Sequence, residues 1–112
     1  MFNFFNMSFD REQRKIANDI INEVIIDTCL VTDNPSYPYE TGICSKFYNN
    51  GGWIIVEQYK TKDEAELGHK KWIKEFKNGL PKQLKDISAC EIANILKRFS
   101  NPENFIYHRK DK

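Results

Sequence analysis

TKDEAELGHKKWIKEF, residues Thr61–Phe76, opens with a capping box and closes ahead of a helix stop. Thr61 is followed three residues later by Glu64, so the Thr hydroxyl can accept from the Glu64 N–H while the carboxylate reaches back. Asp63 and Glu64 add negative charge at the positive end of the helix dipole. Ala65, Gly68, His69, Trp72, Ile73 and Phe76 recur at three- and four-residue spacing and form one face. Lys62, Asp63, Glu66, Lys70, Lys71, Lys74 and Glu75 form the other, with Glu66 and Lys70 set for an i,i+4 pair. Asn78-Gly79-Leu80-Pro81 ends the helix, because Gly takes the left-handed cap and Pro blocks continuation.

Gly68 costs about 1 kcal/mol against Ala inside a helix. Its use here predicts close approach of the helix backbone to a strand, with His69 brought against the same surface. His69 reads first as a core histidine that donates to a neighbouring group. Its second reading is a ligand or general base, since imidazole titrates near neutrality. Glu66, three residues back, could share a metal with it, but two ligands do not make a metal site. No metal and no cofactor is expected.

The strand feeding this helix is Trp53–Tyr59. Tyr39–Tyr48 and Trp53–Lys60 are strand-like runs joined by Asn49-Asn50-Gly51-Gly52, which supplies the positive-φ positions of a tight connection. Ile43, Phe47, Ile54, Ile55 and Val56 are the expected core contributors. An isolated hairpin is marginal in water, so the capped helix must cover one face, and a third strand from residues 24–32 would help.

Upstream, Asp10 is positioned to cap a helix, and Ile16, Ala17, Ile20, Ile21, Val24 and Ile25 follow helical spacing. A helix is expected from about Arg11 to about Val24. VIIDTCLVT at Val24–Thr32 is dense in β-branched residues and equally legible as strand. Asp33–Pro38, DNPSYP, is a break. Downstream, Lys82–Ile87 is a connector, and Ser88 with Glu91 caps a C-terminal helix over 88–99. The tail FIYHRKDK joins an anchoring triplet, Phe105-Ile106-Tyr107, to basic residues. The fold expected is α+β: a small single domain over 1–112, with an antiparallel hairpin or three-stranded sheet packed by an amphipathic helix, plus N-terminal and C-terminal helices.

Composition narrows the function classes. With 112 residues, 40% hydrophobic and 29% charged, the chain has the make-up of a globular domain, not a disordered one. A net charge of +1 provides no bulk attraction to nucleic acid or anionic membrane. Cys29, Cys44 and Cys90 lack metal-ligand spacing and are expected as reduced thiols. No run reaches the roughly 20 apolar residues of a membrane span, and MFNFFNMSF lacks the basic and small-residue parts of a signal peptide. The apolar arm at 1–9, carrying Phe2, Phe4 and Phe5, either covers the domain's own core or docks on a partner or second subunit. Tyr48 and Trp53 on the hairpin are further candidates for an interaction surface. With Lys97, Arg98, Arg109, Lys110 and Lys112 they would make a nucleic-acid surface, against which the neutral charge balance counts. Phosphate-cradling, zinc-protease and nucleophile motifs are missing, so no enzyme is expected.

The order Tyr39-Glu40-Thr41-Gly42-Ile43, then Glu57-Gln58-Tyr59-Lys60-Thr61, then Glu64-Ala65 and Gly68-His69, resembles a family of small bacteriophage or prophage proteins. The resemblance covers Tyr39–Asn78, and the long N-terminal extension departs from it. It implies a phage or prophage origin and no particular activity. Many phage accessory proteins bind a host or defence factor, so the resemblance implies a host or phage protein partner in the host cytoplasm. A minor head, decoration or tail component of the virion is the alternative.

Overall fold

A strand forms where a helix was expected. In the computed structural model, which describes residues 15–31, 35–87 and 105–110, β1 (Lys15–Ile21) and β2 (Val24–Leu30) make an antiparallel hairpin. The expected N-terminal helix is therefore corrected over 15–24. Ile20, Ile21, Val24, Ile25 and Ile26 are β-branched and pack well on a pleated surface. Asn22 (φ 51°) and Glu23 (φ 66°) both take positive φ, the requirement of a two-residue hairpin turn that matches strand twist. The Asn22 side chain then donates to the Phe76 carbonyl at 2.7 Å, satisfying an orphan acceptor in the last helical turn.

β3 (Tyr39–Cys44) and β4 (Ile54–Tyr59) complete a four-stranded antiparallel sheet in sequential order. Val24, Ile26 and Thr28 alternate inward along β2, and Thr41 and Ile43 do so along β3. Beyond β3 the chain does not run straight to Tyr48 as a strand. It makes a single bridge, Ser45 to Tyr48, and a 3₁₀ turn at Asn49–Gly51.

The helix α1 (Lys62–Lys77) lies across the sheet. The hydroxyl half of the expected capping box forms: Thr61 Oγ1 accepts from the Glu64 N–H at 3.1 Å. Ala65, Gly68, His69 and Phe76 are buried, with Trp72 and Ile73 half-buried beside them, and the charged face is exposed. Gly79 follows at φ 136°. Residues 82–87, expected as a connector, hold the short β5 (Gln83–Lys85), which pairs antiparallel with β6 (Ile106–His108). Ile87 N–H donates to the Ile55 carbonyl at 2.8 Å, tying this pair to β4. The expected C-terminal helix over 88–99, the arm at 1–9, and Cys90 lie outside the described residues.

Val24, Ile26, Ile43, Phe47, Tyr48, Ile54, Phe76 and Leu84 form the core. Of the expected contributors, Ile43, Phe47 and Ile54 are buried in it and Val56 packs against it. Ile55 instead reaches the opposite sheet face, beside Gly42 and Trp53.

Gly68 meets the phenol of Tyr59. A Cβ built there would lie 2.3 Å from Tyr59 Cε1 and from its hydroxyl. Gly68→Ala should therefore destabilise the protein by about 1–3 kcal/mol, despite the gain of about 1 kcal/mol in helix propensity. Urea unfolding of the two proteins checks the sign.

Candidate functional site

The most concentrated set of polar groups among the described residues lies between sheet and helix. Every strand of the large sheet sends a side chain to it: Asp19 from β1, Thr28 from β2, Thr41 from β3, and Tyr59 and Glu57 from β4. Strand parity explains the alignment. Asp19 pairs with Ile26, an inward residue, and Thr28 pairs with Thr41. The helix supplies His69, Lys71 and Trp72.

His69 is the junction. Its Nε2 lies 2.7 Å from Asp19 Oδ2 and its Nδ1 lies 2.7 Å from Thr28 Oγ1. Thr28 Oγ1 is 2.6 Å from Thr41 Oγ1, which is 2.9 Å from Tyr59 Oη. Tyr59 donates to Glu57 Oε1 at 2.9 Å. That carboxylate also accepts from Trp72 Nε1 at 2.9 Å and from Lys71 Nζ at 2.7 and 2.8 Å. An unbroken chain of contacts thus crosses the sheet from β1 to β4.

Its electrostatics follow from these partners. Burial pushes the Glu57 carboxyl upward, but hydrogen bonds from Lys71, Trp72 and Tyr59, with the Lys71 charge, outweigh it and hold Glu57 below the usual glutamate range. Burial pushes the Tyr59 phenol well above its ordinary range, and the neighbouring Glu57 charge pushes it further. The phenol stays protonated and serves as donor to a carboxylate that stays ionised.

Acid, imidazole and hydroxyl in sequence are the groups of a hydrolytic triad. Here the hydroxyl is unusable. Thr28 and Thr41 are 0% exposed and His69 3%, so no substrate carbonyl reaches Thr28. Both ends of the chain meet the exterior: the Asp19 side chain is 47% exposed, and the Glu57 side chain is 31% exposed beside Lys71. The arrangement satisfies buried polar groups, each of which costs about 1–3 kcal/mol when left unpaired.

His69 is thus the inward-turned histidine expected from sequence. Glu66 is exposed on the charged face of α1, and both nitrogens of His69 are committed elsewhere, so the two share no ligand. Among the described residues, no three His, Cys, Asp or Glu side chains gather as metal ligands. Glu64 stays at the helix cap and Glu40 is half-buried on the other sheet face.

Tyr48, expected at the surface, is corrected: it is fully buried, and its hydroxyl donates to the Pro81 carbonyl. Burial raises its phenol above the ordinary range, with the Arg109 charge opposing. Trp53 remains 47% exposed. In the tail, Arg109 donates to the Leu80 carbonyl and Lys110 to Asn50. Phe2, Phe4, Phe5, Lys97, Arg98 and Lys112 lie outside the described residues.

Asp19, Thr28 and Thr41 were not singled out from sequence. A threonine at an inward position is the available signal: Thr41 beside Ile43 on an expected strand, and Thr28 in line with Val24 and Ile26 once their segment is read as strand. No family model, curated protein or solved structure matches this chain.

Glu57 yields a pH prediction. Its folded value lies below its unfolded one, so its stabilisation is complete above the ordinary glutamate range and fades as pH falls through the folded value. Wild-type unfolding free energy should fall more steeply than that of Glu57→Gln between roughly pH 5 and pH 3. Urea melts across that interval provide the comparison.

Proposed function

We propose that this chain is a phage-encoded accessory protein that acts by binding another protein, with a host or anti-phage defence factor as its target. The observation carrying this reading is where the polar groups are and where the apolar ones are left. The acid–imidazole–hydroxyl set is sealed under α1 and occupied in holding the sheet. Apolar side chains instead remain at the surface of the opposite sheet face. Ile20 is 68% exposed and Trp53 47% exposed. Ile20 alternates with the inward-facing Asp19, which sends it to the outer face. Trp53 lies on that same face, against Gly42. Between them run the half-buried Ile25 and Ile55. Large exposed apolar side chains on one face are the material of protein interfaces, and tryptophan is enriched among residues that dominate binding energy.

No helix among the described residues is long and apolar enough to cross a membrane. The virion reading depends on Phe2, Phe4 and Phe5, outside the described residues, and the nucleic-acid reading loses Tyr48 to the core.

The test is capture from host cells with the tagged chain, followed by reconstitution with the purified target. Trp53→Ala is expected to weaken that complex by about 2 kcal/mol, roughly thirtyfold in Kd, and Ile20→Lys to weaken it further. Melting temperatures of the variants show that each is folded. Equal affinity of both variants and wild type would overturn the assignment to this face, and the absence of any stoichiometric host partner would overturn the function.

A further inference from the structure

The contacts from Asp19 to Glu57 can be counted against the protons available to fill them. There are five: Asp19 to His69 Nε2, His69 Nδ1 to Thr28, Thr28 to Thr41, Thr41 to Tyr59, and Tyr59 to Glu57. Each is a hydrogen bond only when one proton lies in it. Thr28, Thr41 and Tyr59 bring one apiece, and ionised carboxylates at the two ends bring none. A neutral imidazole raises the number to four, one short. Only an imidazole carrying both ring protons fills all five contacts.

Direction follows from the same count. Tyr59 donates to Glu57, so its oxygen accepts from Thr41. Thr41 then accepts from Thr28, and Thr28 accepts from His69 Nδ1–H. The second ring proton, on Nε2, goes to Asp19. With a neutral ring, either Nε2 is bare and faces the Asp19 carboxylate, or every hydroxyl reverses and Tyr59 presents a lone pair to Glu57. The two ends are not equal. Tyr59, with its proton directed at Glu57, is buried, whereas Asp19 is half-exposed and has His69 as its only polar side-chain partner among the described residues. Water can therefore replace the contact at Asp19 far more readily than at Tyr59.

We propose that His69 is doubly protonated in the folded protein, held so by Asp19, and that this proton latches edge strand β1 to α1. When the proton is present, β1, the hydroxyl chain and α1 are one hydrogen-bonded unit. When it leaves, Asp19 turns to solvent and β1 loses this side-chain hydrogen bond to α1, while its ladder to β2 and the Asn18–Asp27 hydrogen bond remain. Among the described residues, the charged and titratable groups around the ring are Asp19 from β1 and, through the hydroxyls, Tyr59 and Glu57 from β4. β2 and β3 present threonines, and α1 itself carries Glu66 and Lys70 on its exposed side. The inference is independent of the partner proposed above, since it concerns the protein alone.

The test is long-range nitrogen–proton NMR of the full chain with labelled histidine, at about pH 7.5, where a free imidazole is mostly neutral and free carboxylates are ionised. His108→Gln separates the two histidine spectra. The expected result is a protonated pattern at both ring nitrogens of His69, with loss of one ring proton in Asp19→Asn at the same pH. Raising the pH until the wild-type ring loses its second proton should speed amide exchange in Ala17–Ile21 beyond the intrinsic pH effect, without matching acceleration in β3. A singly protonated ring in the wild type at about pH 7.5 would overturn the proposal, and that measurement stands even if Asp19→Asn does not fold. Persistence of both protons in Asp19→Asn would remove Asp19 from the role, and equal acceleration in β1 and β3 would remove the latch.

Discussion

The helix side of the sheet depends on how closely α1 crosses β4, and Gly68 sets that distance. No side chain larger than hydrogen fits against the Tyr59 phenol there. The close approach brings the next residue, His69, to 2.7 Å from Thr28 while Tyr59 still reaches Thr41 and Glu57. Were the helix lifted by the width of a methyl group, both ends of the hydroxyl chain would part, leaving buried threonines and an imidazole without partners. The helix-propensity penalty at Gly68 is thus offset by a polar network that needs its backbone near the sheet.

A polar chain in the interior brings a specificity that an apolar one would not. Leu or Val in place of Thr28 and Thr41 would fill the space, but apolar side chains tolerate displacement along a strand. Hydrogen bonds with defined partners do not. A one-residue slip of β2 on β3 would send one threonine to the outer face, because side chains alternate strictly, and would strand the other. Asp19 fixes β1 in the same way, opposite Ile26. The strands are therefore held in register by one directional chain that also specifies where the helix sits.

The sequence made α1 legible because its signals are local. The Thr61 cap, the apolar face and the Gly79-Leu80-Pro81 stop all lie within twenty or so residues, and the structure follows each. β1 is masked in the sequence because Ile16, Ala17, Ile20, Ile21, Val24 and Ile25 satisfy helical spacing, while the turn between the strands, Asn22-Glu23, lacks the glycine that usually announces one. Tyr48 reads as a surface residue because the sequence continues strand-like to the turn at Asn49–Gly52. The actual chain bends at Ser45 and folds Tyr48 inward under Pro81. β5 and β6, three residues each, are too short to show periodicity. Of the candidate site, His69 is visible through its neighbour Gly68, but Asp19 lies in the stretch that follows helical spacing and Thr28 in one equally legible as helix or strand, so neither is joined to it.

Residue identity alone would assign hydrolytic chemistry to Asp19, His69 and Thr28. What decides against it is that Thr28 is committed on both sides. Its oxygen lies 2.7 Å from His69 Nδ1 and 2.6 Å from Thr41 Oγ1, and a strand pair closes over it. Freeing that oxygen for attack would require breaking the contact that keeps β2 and β3 in register, so reactivity and folding compete for the same atom. A catalytic triad avoids this conflict by placing its nucleophile at the rim of a cleft, where a substrate carbonyl and oxyanion donors can meet it. Here the rims of the network are Asp19 at one end and Glu57, paired with Lys71, at the other, carboxylates and not nucleophilic hydroxyls, so what meets the exterior is charge. In the binding reading proposed above, recognition falls to the surfaces that the network does not occupy, foremost the face bearing Ile20 and Trp53.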